Sequence, residues 1–247
     1  MTIQSEKDLA ALRRIGKIVA QTLRLMSESL RPGITTAELD QIGAAFLRAH
    51  GARSAPRLVY NFPGETCISI NDEAAHGIPG SRVVRAGDLV NLDVSAELDG
   101  YFADTGATFG VPPVAEQAQS LLSCAFETRN RAVDAARAGA PLQAIGRSVE
   151  HEAQRCGFSI IRNLGGHGVG RSIHEEPRNT PNYPLSSEHR LLHEGMVIAI
   201  EPFLSTGAEY AVNSPDHWTL RTPDGSRSAQ FEHTVVVTRG KPIIITQ

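Results

Sequence analysis

Asn91-Leu92-Asp93-Val94-Ser95-Ala96-Glu97-Leu98-Asp99-Gly100-Tyr101-Phe102-Ala103-Asp104-Thr105 is the stretch whose reading decides the fold. It has a strand on either side of Asp99-Gly100, a dipeptide that two-residue hairpin turns favour. Such a turn sets Asp93 opposite Gly106 and makes Asp104 its diagonal neighbour, so both carboxylates share one face of the ribbon. A register shift of two keeps that result, and a shift of one destroys it. Val90, Leu92 and Val94 take the other face, toward the core. Two like charges side by side on a half-buried sheet destabilise it unless something positive lies between them. A divalent cation would serve, although solvated hairpin carboxylates would look the same in sequence.

Outward from the hairpin, the strand grammar of short apolar segments broken by Gly, Pro, Asn and Asp runs from Arg57 to Phe109. Two helices precede it. Ser5 to Leu30 has Leu9, Leu12, Val19, Leu23, Met26 and Leu30 near helical spacing and stops at Arg31-Pro32-Gly33. Thr35 to His50 opens with Thr35 and Glu38 spaced as a capping box. After Pro112-Pro113, helical spacing returns over Val114 to Ala138 and Pro141 to Cys156, and strands follow, including Met196 to Glu201 and Phe231 to Thr238. The order helix, helix, strands thus occurs twice, in halves of about 5–110 and 114–240. No linker separates them, so an α+β fold in which 1–247 form a single catalytic domain is expected.

The 247 residues are 41% hydrophobic and 21% charged, enough to bury a core without staples. The net charge of −3 argues against a nucleic-acid binder, which draws affinity from clustered Lys and Arg. Cys67, Cys124 and Cys156 are odd in number and form no C-x-x-C pair, which predicts reduced thiols and a cytoplasmic protein. Neither a secretory leader nor a membrane span is written in the chain.

Three further places carry chemistry. Leu164-Gly165-Gly166-His167-Gly168-Val169-Gly170 surrounds one histidine with glycines, which predicts open backbone where a ligand approaches His167. Gly195 to Pro202 runs a buried apolar strand into Glu201, whose charge costs several kcal/mol there unless paired or metal-bound. Gln230-Phe231-Glu232-His233-Thr234 sets Glu232 on a strand about to become wholly apolar, with Gln230 and Thr234 on its face. For either Glu, an Arg or Lys partner is the plainer alternative. Four carboxylates and one imidazole are a donor set for two harder divalent ions.

These residues, in this order, resemble the methionine aminopeptidases of the pita-bread fold, metallopeptidase family M24, in their short type I form. The blocks that carry the likeness are Cys67 to Asn71, His76-Gly77-Ile78-Pro79, Asn91 to Val94, Asp104-Thr105, Gly166 to Gly170, His174-Glu175-Glu176-Pro177, Glu201-Pro202 and Gln230 to Thr234. The resemblance implies two pseudo-twofold-related halves whose helices cover a curved, mostly antiparallel sheet. It implies Asp93, Asp104, His167, Glu201 and Glu232 as ligands of two divalent metal ions (Co, Mn, Fe(II) or Zn), with Asp104 and Glu232 bridging. His76 would contact the scissile peptide, His174 would partner its carbonyl oxygen, and Glu201 would also handle the proton of the attacking water. Phe62, Cys67 and Trp218 fall where the family builds its methionine slot. Val59, Ile173 and Ala75 depart from the residues common at those positions, which bears on pocket shape.

The implied activity is removal of the initiator methionine from nascent polypeptides with a small second residue, at the ribosome, by a monomer. Met1-Thr2 has that small second residue, so self-processing is also expected. Two readings compete: an X-Pro peptidase of the same fold, which carries an extra N-terminal domain whereas the first helix here begins near Ser5, and a non-catalytic relative, which typically loses ligands.

Overall fold

A computed structural model describes all residues 1–247. The chain runs α1 (Glu6–Ser29), α2 (Thr36–Ala49), β1 (Arg53–Ser54), α3 (Ala55–Tyr60), β2 (Cys67–Ile70), β3 (Glu73–Ala75), β4 (Leu89–Leu98) and β5 (Tyr101–Gly110). It continues through α4 (Glu116–Ala135), α5 (Gln143–Cys156), β6 (Ser159–Ile160), β7 (Gly165–Gly168), β8 (Glu175–Pro181), β9 (Val197–Ile200) and β10 (Phe203–Ser205). The last strands are β11 (Val212–Asn213), β12 (Leu220–Arg221), β13 (Ser228–Gln230), β14 (His233–Val236) and β15 (Ile243–Ile244).

The helix ends follow from their capping residues. Ser5 Oγ accepts the Asp8 N–H at 3.2 Å to start α1, and Thr35 and Glu38 form the reciprocal capping box of α2. Leu12, Ile15, Val19 and Met26 form the buried stripe of α1. At Gly16 a side chain would collide with the Ile245 carbonyl, so the glycine lets the C-terminal segment lie directly on the helix.

The β4–β5 hairpin has the expected register, with Asp93 opposite Gly106 and Ser95 opposite Asp104. Asp99 (φ 53°) and Gly100 (φ 80°) are both left-handed, as a type I′ turn requires. Val90, Leu92 and Val94 are buried in the core shared with α1 and α2. A second core lies beneath α4 and α5 and is floored by Ile198, Ile200 and Val235. The larger sheets are β15-β14-β9-β7-β8 and β1-β4-β2 with β5 on β4, and every named strand pair is antiparallel. No helix is long and apolar enough to cross a membrane.

Three expectations need correction. Strand grammar from Arg57 is interrupted by the helix α3, because Ser54 caps the Arg57 N–H at 3.3 Å and Pro56 sits in the first turn, where its missing N–H costs nothing. The strand expected from Phe231 to Thr238 is shorter and displaced from β13, breaking at Phe231-Glu232. Cys124 and Cys156 are joined in a disulfide rather than reduced. Packing of α5 on α4 brings their Cα atoms to 6.3 Å, within bridging range although 32 residues apart in sequence. Cys67 is free and buried.

Candidate metal centre and peptide pocket

The hairpin supplies the first two carboxylates. Asp93 on β4 and Asp104 on β5 share the ribbon face turned from the α1–α2 core, and Asp104 is 7% exposed. Segments far along the chain are then fastened to β5 by side chains. Thr234 Oγ1 accepts the Asp104 N–H at 2.9 Å and donates to the Asp104 carbonyl at 2.8 Å, and Thr108 Oγ1 makes the same two-way exchange with Gln230. The Glu232 N–H donates to Gly106 O at 2.8 Å, and Thr105 Oγ1 donates to the Glu232 carbonyl at 3.1 Å. Glu232 thereby reaches the face occupied by Asp104.

His167 is the third element. The glycines around it serve a purpose other than the one read from sequence: a side chain at Gly166 would strike the Ala199 carbonyl, and one at Gly168 the Glu176 carbonyl. They let β9 and β8 close on β7 rather than open its backbone to a ligand. His167 is 4% exposed, and its Nδ1 lies 3.0 Å from the Gly168 carbonyl, which fixes the proton on Nδ1. Burial and the neighbouring His174 hold its pKa down to about 3, so Nε2 offers a lone pair. That atom is 3.7 Å from Asp104 Oδ2 and 3.6 Å from Glu201 Oε1. Glu201 follows β9, its carbonyl held by Asn182 Nδ2 at 3.0 Å.

Asp104, His167 and Glu232 each place a ligand atom within 4.8 Å of the others. Asp93 and Glu201 stand outside this tight trio and line the adjoining pocket. Burial, reinforced by mutual repulsion, lifts Asp104, Glu201 and Glu232 well above the usual carboxylate range, and burial lifts Asp93 to about 6. Asp104 Oδ1 and Glu232 Oε1 are buried with no hydrogen-bond partner. Two orphaned oxygens beside a lone pair are costly in an apolar interior and fit a bound cation. The bland alternative read from sequence, an Arg or Lys beside Glu201 or Glu232, does not occur in the fold: neither pairs with one.

Above this centre lies a cavity of about 100 Å³, room for one side chain rather than a length of strand. Phe62 and Trp218 meet edge to face with centroids 5.2 Å apart, and Cys67 and Ile173 complete the apolar wall. Val59 is turned out of it. His76 and His174 stand at the rim. His76 has φ 55°, an unusual value for a non-glycine residue, and the turn is held by Gly77, whose N–H donates to Ser69 Oγ at 3.0 Å. The residues singled out in sequence thus line one cavity, except Glu232, which lies behind its wall beside Asp104 and His167.

Other residues belong here that the sequence reading did not assign. Gln230 Nε2 donates to Glu232 Oε2 at 3.2 Å, while Asn91 Nδ2 holds Gln230 Oε1 at 2.8 Å. Their signal was present, since Gln230 lies two before Glu232 and Asn91 two before Asp93. Tyr60 Oη lies 2.7 Å from His174 Nδ1, and nothing in the sequence pointed to it. Met1 lies outside the pocket: its ammonium pairs with Glu175 at 2.6 Å and its carbonyl accepts the Val197 N–H at 2.9 Å. The Met1-Thr2 bond is therefore not presented to this chain's own centre once it has folded.

The family model of metallopeptidase family M24 matches residues 10–239. The chain belongs to that family. It is 47% identical to "Methionine aminopeptidase 2" of Bacillus subtilis, over the whole of both chains, and 45% identical to "Methionine aminopeptidase" of Staphylococcus epidermidis, over 100% of this chain and 99% of that one. Among solved structures, the methionine aminopeptidase of Rickettsia prowazekii superposes with a TM-score of 0.95 at 36% identity over all of both chains. The prolidase of Pyrococcus furiosus superposes at 0.79 and 23% identity, and the match spans 65% of that chain. The architecture described above is accordingly the pita-bread fold that these M24 structures share.

Proposed function

We propose that this family member is a methionine aminopeptidase of the short, type I form, acting in the cytoplasm as a single catalytic domain of two related halves on the N-terminal methionine of nascent polypeptides. The observation that carries this reading is a set of four carboxylates and one imidazole, with two orphaned oxygens, at and behind the polar wall of a cavity of about 100 Å³ whose other wall is apolar. Full-length likeness to methionine aminopeptidases supports it.

Asp93, Asp104, His167, Glu201 and Glu232 would hold two divalent ions from among Co, Mn, Fe(II) and Zn. Such ions, when bound, polarise a carbonyl oxygen and lower the pKa of water. The chain's own groups do the rest. Phe62, Cys67, Ile173 and Trp218 receive the methionine side chain, where sulfur–aromatic contact adds about 0.3–1.5 kcal/mol. Closure of the cavity around one side chain confines cleavage to the first residue. His76 contacts the scissile peptide, and His174 donates to its carbonyl oxygen as charge develops there. Glu201 accepts the proton of the attacking water.

The deciding experiment measures kcat/KM for Met-Ala-Ser against X-Pro peptides with Mn, Fe(II), Co and Zn. Preference for Met-Ala-Ser and no turnover of its N-acetyl form are expected. Preference for X-Pro peptides would overturn the assignment.

A further inference from the structure

Tyr60 ends α3 at the pocket rim, and the residue is 44% exposed. Asn61 caps the helix with a left-handed φ of 57°, and its N–H returns to the Arg57 carbonyl at 3.1 Å. The phenol is therefore placed by a helix end. Its oxygen lies 2.7 Å from His174 Nδ1, and neither group makes another hydrogen bond within the chain. The two rings are tilted at 52° with centroids 5.6 Å apart, so they meet through these polar atoms and not by stacking.

A neutral imidazole carries its proton on one nitrogen, and the partner of the other decides which. With Nδ1 taken by Tyr60, Nε2 is the nitrogen left for a ligand. His174 shares its pocket with Asp93, Asp104 and Glu201, and its ring centroid is 4.1 Å from that of His167. A bare Nε2 would present a lone pair to an incoming carbonyl oxygen and repel it.

We propose that Tyr60 is a positioning residue: its O–H donates to His174 Nδ1 and holds the imidazole as the Nε2–H tautomer, the form that can donate to the scissile carbonyl oxygen. This rests on the role given to His174 in the functional reading above. The side chain singled out is one that the sequence reading passed over, on a helix it did not expect.

Two measurements test it. In the full-length, zinc-loaded wild-type protein labelled with ¹⁵N-histidine, with His174 assigned by its loss in His174→Gln, Nδ1 should resonate as a bare nitrogen and Nε2 as a protonated one. The reverse pattern overturns the proposal, whatever the activity. In kinetics on Met-Ala-Ser, Tyr60→Phe should lower kcat about 3- to 10-fold, the worth of one neutral hydrogen bond, with KM changed less than about 2-fold. The same substitution in a His174→Ala background should cost nothing further. An unchanged kcat, or an equal loss in both backgrounds, overturns the proposal. Should Tyr60→Phe fail to fold, the nitrogen signals of the wild type still decide. A wild type inactive on Met-Ala-Ser refutes the functional reading alone, because the tautomer is read without turnover.

Discussion

Stripped of metal ions, the protein should lose thermal stability as pH rises from about 7.5 to 8.5, a range in which histidine titration in the unfolded chain is nearly complete. Burial and mutual repulsion raise Asp104, Glu201 and Glu232 well above the usual range and Asp93 to about 6. In the unfolded chain these groups ionise near about 4. Above that pH the folded state holds protons that the unfolded state has released, so stability falls until the folded carboxyls have ionised. The buried histidines act with the opposite sign. Burial holds His167 and His233 down to about 3 and His174 to about 4 and lowers His76 as well, so their contribution is lost on acidification through about 6.5 and is nearly constant above about 7.5. Burial also raises the Cys67 thiol, which adds to the alkaline loss with the same sign as the unfolded thiol ionises near about 8.5. The chosen window therefore reports mainly the carboxyls.

One carboxyl that keeps its proton through this one-unit window costs about 1.4 kcal/mol. In a chain of this length that lowers Tm by about 3–6 °C. The assay is calorimetric melting in chelator at pH 7.5, 8 and 8.5, repeated with zinc. Because ligands must shed protons to bind metal, the gain from zinc should grow with pH and offset the decline. Asp104→Asn should flatten the metal-free slope and abolish most of the gain. A metal-free Tm that is constant or rises from pH 7.5 to 8.5 refutes the reasoning.

Asp104→Ala or Glu232→Ala should abolish peptidase activity even with excess metal, and a variant retaining wild-type kcat would remove that residue from the centre. Gly106→Ala places a Cβ 2.5 Å from Gln230 Oε1 and 2.8 Å from its Nε2, displacing the amide that donates to Glu232. Metal affinity by calorimetry should fall about 10- to 100-fold, as when other outer-shell partners are lost; an unchanged affinity counts against a role for Gln230. Trp218→Ala should lower kcat/KM on Met-Ala-Ser about 10-fold, mainly through KM, since the edge contact with Phe62 and the pocket wall are lost. A loss confined to kcat would place Trp218 elsewhere in the mechanism.

Legibility in the sequence followed the range of the interaction. The Asp93–Asp104 face was readable because a two-residue turn fixes register locally, and both turn residues adopt the left-handed φ it needs. The capping box of α2 was readable for the same reason. Tyr60 was not, because Leu58-Val59-Tyr60 has the composition of a strand and only Ser54 and Pro56 before it betray a helix. The disulfide depends on two helices packing, which no spacing encodes. The break at Phe231-Glu232 was hidden as well, since it arises from contacts with β5 across more than a hundred residues of chain.

That junction is also what completes the centre. Phe231 bridges Ala107 antiparallel, so Glu232 falls opposite Gly106 and Gln230 opposite Thr108, and alternation puts both side chains on the face that carries Asp104. The hydroxyls of Thr105, Thr108 and Thr234 replace ladder bonds at that junction, satisfying buried backbone groups while leaving the chain free to turn. The hairpin therefore sets one pair of carboxylates by its own register. The remaining ligands reach that pair only because residues after Val114 close against β5 through threonines, which places the burden of assembling the centre on side chains that touch no metal.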